Sequence, residues 1–114
     1  MRTVRSAEVT SCDAMRADLR RSEARFVVGL ADGDMSVELY VPGKRDKQQP
    51  HEQDELYVVV RGSALFHSGR HCQPVKEGAV IFVAAQAAHR FTRISDDFET
   101  LVVFYGPRVA RSSD

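Results

Sequence analysis

The chain has 114 residues, 43% of them hydrophobic and 28% charged, with 16 Lys and Arg balancing 16 Asp and Glu to a formal net charge of zero. That length suits one domain, residues 1–114, which buries roughly two thirds of the surface exposed by its unfolded chain. With a sequence isoelectric point of about 6.9 there is no basic excess to draw nucleic acid or an anionic membrane, so neither is an expected partner.

The N-terminal stretch MRTVRSAEVTSCDAMRADLRRSEARF has no apolar signal core, and no segment approaches the roughly 18 apolar residues of a membrane span, which predicts a cytoplasmic protein. Cys12 and Cys72 lack the C-x-x-C spacing of a zinc or redox motif and are too few for a disulfide framework, so free, buried thiols are expected. Behind Ser11 and Asp13 as caps, Ala14, Met15 and Leu19 recur at helical spacing and predict a short helix, whose interleaved charges read as a solvated face. From Arg25 the texture changes. The runs RFVVGL, MSVELYVP, ELYVVVRGSALF, AVIFVA and ETLVVFYGP are rich in Val, Phe and Tyr, and turn material lies between them: ADGD at 31–34, HSGRHCQ at 67–73 and ISDD at 94–97. This is an all-β pattern, a barrel or sandwich over about residues 25–107, with RVARSSD from Arg108 read as a frayed tail.

The functional signal sits just ahead of one strand, in QPHEQDELYVVVRG, Gln49 to Gly62. Alternation puts Gln49, His51, Gln53, Glu55, Tyr57 and Val59 on one face. A carboxylate such as Glu55 is costly on the inner face of a barrel unless it meets a cation or hydrogen-bond donors. His51 and Glu55, four residues apart on that face, reach one point if the strand curls as it does at a barrel mouth. The third donor is then His89, which follows AVIFVA and the small-residue turn AQAA. Two histidines and a carboxylate leave coordination positions open, as metal chemistry on a small substrate requires. Gln49, on the same face, brings a neutral amide able to bond bound water or substrate. Tyr57 and Phe91 pack the pocket wall, with the Tyr57 hydroxyl and Glu55 available for proton transfer. Asp54 points the other way as a solvated or dimer-edge charge, and His67 and His71 face solvent. There is no G-x-S-x-G elbow and no glycine-rich phosphate cradle.

The frame Gly43, KRDKQ, Gln49, Pro50, His51, EQD, Glu55, LYVVVR, Gly62 resembles the first motif of the cupin superfamily, with Gln49 where the family has its first histidine. Gly78, AVIFV, Ala84, Ala85, Gln86, AA, His89 resembles the second motif, with Ala84 and Gln86 replacing Pro and Gly, and Arg93 replacing Asn. The resemblance covers about Met35 to Tyr105. It implies a cupin double-stranded β-helix, a jelly-roll barrel of about six to eight strands, commonly a homodimer, with a divalent ion (Fe, Zn, Mn or Ni) in the barrel mouth on His51, Glu55, His89 and, as the optional member, Gln49. Two functions follow from it: a metal-dependent enzyme of dioxygenase or isomerase type acting on a small polar molecule, or a non-catalytic domain that binds or senses such a molecule; a third, purely structural reading has the pocket filled with side chains. No DNA-binding helix pair is appended, which disfavours a transcription factor.

Overall fold

The structure is a computed structural model that describes residues 7–109, so most of the tail expected to fray lies outside the described residues. Helix α1 (Cys12–Arg20) begins where Ser11, in extended conformation, accepts the Ala14 N–H on its hydroxyl at 3.0 Å. Asp13 in the first turn and Arg20 in the last suit the helix dipole. The strands follow as β1 (Phe26–Asp32), β2 (Met35–Tyr40), β3 (Asp54–Arg61), β4 (Ser63–Ser68), β5 (His71–Lys76), β6 (Val80–Val83), β7 (Arg90–Thr92) and β8 (Glu99–Tyr105). They form a five-stranded sheet of order β1-β2-β8-β3-β6 and a three-stranded sheet of order β5-β4-β7, antiparallel throughout. The expected all-β jelly roll with a short N-terminal helix is therefore present.

The core lies between the sheets. Tyr57, Val59, Ala64, Val75, Val83, Phe91, Phe98 and Val102 are buried together, with the Phe91 ring edge-on to Tyr57 at 5.1 Å between centroids. Outside the large sheet, Met15 packs over a notch at Gly29, where a Cβ would fall 2.4 Å from the methionine sulfur. Arg16 secures the helix with bonds of 2.7–3.0 Å to both oxygens of Glu99 at the start of β8.

Two sequence expectations are corrected. The turn read over 67–73 shrinks to Gly69 and Arg70, and HCQPVK becomes edge strand β5. Only Val75 of that strand is buried, so no alternation announces it, and Pro74 is tolerated because the strand lies at a sheet edge. For the same reason Cys72 is exposed, and not the buried thiol expected; both cysteines are free.

Gly62 alone carries the chain from β3 in one sheet to β4 in the other, at φ +80°. A Cβ there would sit 2.4 Å from Ser95 Oγ, 2.7 Å from Asp97 Oδ1 and 2.7 Å from the Phe98 Cα. Gly62→Ala should therefore cost about 2 kcal/mol or more, from the left-handed backbone and the clash together. A urea midpoint equal to wild type would show that the crossing tolerates a side chain.

Candidate functional site

Strand register brings polar groups onto the inner face of the large sheet. Tyr57 lies beside Val102 and Val102 beside Glu38, while in the next row Glu55 lies beside Phe104 and Phe104 beside Ser36. Glu55 and Tyr57 are buried at 1% and 0% exposure. His89, immediately before β7, brings its imidazole to them from the opposite side, with its side chain fully excluded from solvent.

The hydrogens of this cluster can be assigned from partners. Gln48 donates its amide N–H to Asp46 Oδ2 at 3.0 Å, so its Oε1 faces Tyr57 and accepts the phenol hydrogen at 2.8 Å. His89 Nδ1 lies 2.8 Å from the Ala87 carbonyl, which fixes one N–H there. Its Nε2 then faces Tyr57 Oη at 2.9 Å and Glu55 Oε1 at 2.8 Å. Neither Glu55 oxygen accepts a hydrogen bond, although both are buried. A neutral His89 would thus aim a lone pair at a carboxylate, so the contact calls for a proton or a metal ion between the two groups.

The titration of the cluster follows. Burial by itself lowers the proton affinity of His89, but the Glu55 carboxylate, the Ala87 carbonyl and Asp46 together outweigh it, and its pKa rises. Glu38 is pushed up to about 7, first by burial and then by repulsion from Glu55. Burial and the Glu55 charge also raise Tyr57, so it stays a phenol. Asp46 anchors the surroundings: its carboxylate accepts Tyr40 Oη at 2.6 Å, Gln48 N at 3.1 Å and Phe91 N at 2.8 Å besides the Gln48 amide.

Of the four sequence-predicted ligands, Glu55 and His89 meet. His51 is partly buried, its ring 5.9 Å from His89 between centroids and edge-on to Phe104 at 4.8 Å. Among the described residues no three His, Cys, Asp or Glu side chains stand close enough together to hold a metal. Gln49 is exposed, and the amide that reaches the interior is Gln48. The reason is that residues 49–53 are not strand: β3 starts at Asp54, so alternation cannot be run back to Gln49. Asp54, expected as a solvated or dimer-edge charge, is partly buried and accepts the Ala85 N–H at 2.9 Å. His71 is exposed as expected, whereas His67 is partly buried against Thr92. Sequence reading missed Glu38, Asp46 and Gln48. Glu38 had a usable signal, a carboxylate in phase with Tyr40 on an apolar strand; Asp46, inside KRDK, looked like surface.

The family model of the cupin domain matches residues 36–104. The chain belongs to the cupin family. This cupin is 39% identical over 97 residues to an uncharacterized protein of Streptomyces coelicolor, a match covering 83% of this chain and 92% of the relative. A cupin 2 conserved barrel domain protein from Salinispora arenicola superposes with a TM-score of 0.67 at 14% identity, covering 90% of this chain and 91% of that one. An uncharacterized protein with a double-stranded β-helix domain from Klebsiella pneumoniae gives 0.66 at 18% identity, covering 86% and 89%. At these identities the two structures share the fold alone. Among the described residues of this cupin, no helix is long and apolar enough to cross a membrane.

A Glu38 pKa near 7 against an ordinary 4.5 means that between those values the folded state holds a proton the unfolded state has lost. That stabilisation is complete below pH 4.5 and disappears as pH rises through 7. Glu38→Gln should become more stable than wild type as pH rises over that window, by on the order of 1–2 kcal/mol at pH 8 after allowance for solvent screening. Denaturant melts across pH check it, and a gap that stays constant would contradict the buried repulsion.

Proposed function

We propose that this cupin holds a divalent metal ion on Glu55 and His89, with His51 as third donor, and acts as a metal-dependent enzyme on a small polar molecule. The observation that carries the reading is the 2.8 Å approach of His89 Nε2 to a buried carboxylate that has no other polar side chain to satisfy it. The Nδ1 bond to Ala87 fixes the tautomer in which Nε2 is a donor to metal, as outer partners do at metal sites. His51 must turn its ring from Phe104 toward the pair to complete the set. Gln49, being exposed, stands outside it.

When bound, the ion supplies Lewis acidity, or a place for dioxygen and substrate to meet. The chain supplies the rest. Gln48 and Asp46 hold the Tyr57 phenol in one orientation, and Glu38, titrating near neutral pH, is placed to take or give a proton at its carboxylate. Burial of Tyr57, Glu55 and His89 keeps water away. That same closure is the observation favouring the second reading, a cupin that binds or senses a ligand without turnover, since a substrate reaches these atoms only after the interior opens. A cytoplasmic homodimer completes the proposal. Leu56, Val58, Leu101 and Val103, on the outer face of the large sheet, run into exposed Val80 and Phe82 of edge strand β6, a surface suited to a second copy.

Elemental analysis of protein purified without an affinity tag tests the metal. Near-stoichiometric Fe, Zn, Mn or Ni is expected, lost in Glu55→Gln and in His89→Ala while both stay folded, because apolar strands hold the sheets. A folded, metal-free wild type would leave only the ligand-binding reading.

Proton and metal compete for Nε2 of His89. With its pKa raised, metal should begin to leave at a pH above the ordinary histidine value of about 6.5. A chelator competition titration followed across pH reads this directly. Full retention at about pH 4 would exclude histidine donors.

A further inference from the structure

Beside the barrel lies a cleft of about 750 Å3 that none of the site residues enters. Arg25, Lys44, Arg45 and Lys47 line it against a single acid, Asp96. In a chain of zero net charge this is a local concentration of positive charge. None of the four cations makes an ion pair among the described residues. The acid best placed to neutralise them, Asp46 in the middle of K-R-D-K, turns its carboxylate inward to Tyr40, Gln48 and the Phe91 N–H. Ser95, which also lines the cleft, donates its hydroxyl hydrogen to Asp97 at 2.8 Å.

The cleft also has a fixed part. Arg25 precedes β1, and its carbonyl accepts the Val41 N–H at 2.8 Å, which joins the two chain segments that supply the cations. Its guanidinium lies against the backbone of Gly43, where a Cβ would fall 2.6 Å from Nη1. Gly43, at φ +73°, therefore serves the turn and makes room for the arginine head at once.

We propose that this cleft is an anion site for a small phosphorylated molecule. A planar guanidinium matches the oxygens of a phosphate in bidentate fashion, and flanking ammonium groups add charge without fixed direction. The volume falls within the range of small-molecule pockets and exceeds what an inorganic ion fills. Asp46 ties the cleft's loop through Gln48 to Tyr57, so a ligand ordering Lys44–Lys47 acts on the support of the interior cluster. The proposal does not depend on a metal.

Calorimetric titration at low salt tests it, with glucose 6-phosphate as probe and glucose, inorganic phosphate and citrate beside it. Glucose 6-phosphate should bind with a dissociation constant below about 1 mM, weaken about tenfold or more in Lys44→Ala/Lys47→Ala and in Arg25→Ala, and weaken with added salt. Asp96→Asn should tighten it severalfold. Glucose should not bind, and inorganic phosphate should bind more weakly than the sugar phosphate. The double lysine variant alters exposed side chains only, so it answers even if Arg25→Ala fails to fold. Absence of binding, equal affinity in the lysine variant, or citrate binding as tightly as glucose 6-phosphate would overturn the assignment. Preference for a short single-stranded oligonucleotide over the sugar phosphate would overturn it as well.

Discussion

A carboxylate with no hydrogen-bond donor, facing an imidazole nitrogen that already has its proton elsewhere, sets the terms for this barrel. Glu55 and His89 are brought within 2.8 Å by two different sheets, and everything around them fixes which atoms face each other. Ala87 holds one nitrogen, Gln48 takes the Tyr57 hydrogen, and Asp46 decides which way round Gln48 lies. The contact is left with a place for one positive charge. A proton can fill it, and in the function proposed above a metal ion takes its place.

The surrounding fold makes that arrangement affordable. The aromatic layer of Phe91, Phe98 and Tyr57 joins the sheets beneath the polar cluster, so the apolar core does not depend on the site being filled. Helix α1 packs on β1 and β2 with Met15 buried over Gly29, and is locked by the Arg16 fork on Glu99. At Glu38 the cost of burial, and after it of repulsion from Glu55, appears as a raised pKa inside an intact strand.

How much of this was legible in the sequence depended on periodicity. The strands with alternating or continuous apolar residues were readable, and so was the helix behind Ser11, because its cap and apolar spacing agree. Strand β5 was not, since five of its six residues are exposed and the pattern has nothing to repeat. At the site, Glu55 was singled out by its spacing from His51, His89 by its place after the strand AVIFVA and the turn AQAA, and Tyr57 by phase. Gln49 was assigned inward by extending that phase into a segment that is not strand, and one residue of offset exchanged it for Gln48. Asp46 was hidden because a charge between lysines and an arginine reads as solvated; only the tertiary fold supplies the donors that turn it inward.

The turn ahead of His89 has one more consequence. Gln86 occupies a left-handed conformation, φ 68°, at the position where the family pattern has glycine, and its backbone N–H bonds the His51 carbonyl at 2.7 Å. Asp54 takes the neighbouring Ala85 N–H. The segments bearing the two histidines are thus stitched together through the main chain, and neither swings out without breaking bonds made by the other. Opening the barrel centre along this side would break both bonds together, a cooperative local unfolding and not a side-chain flip.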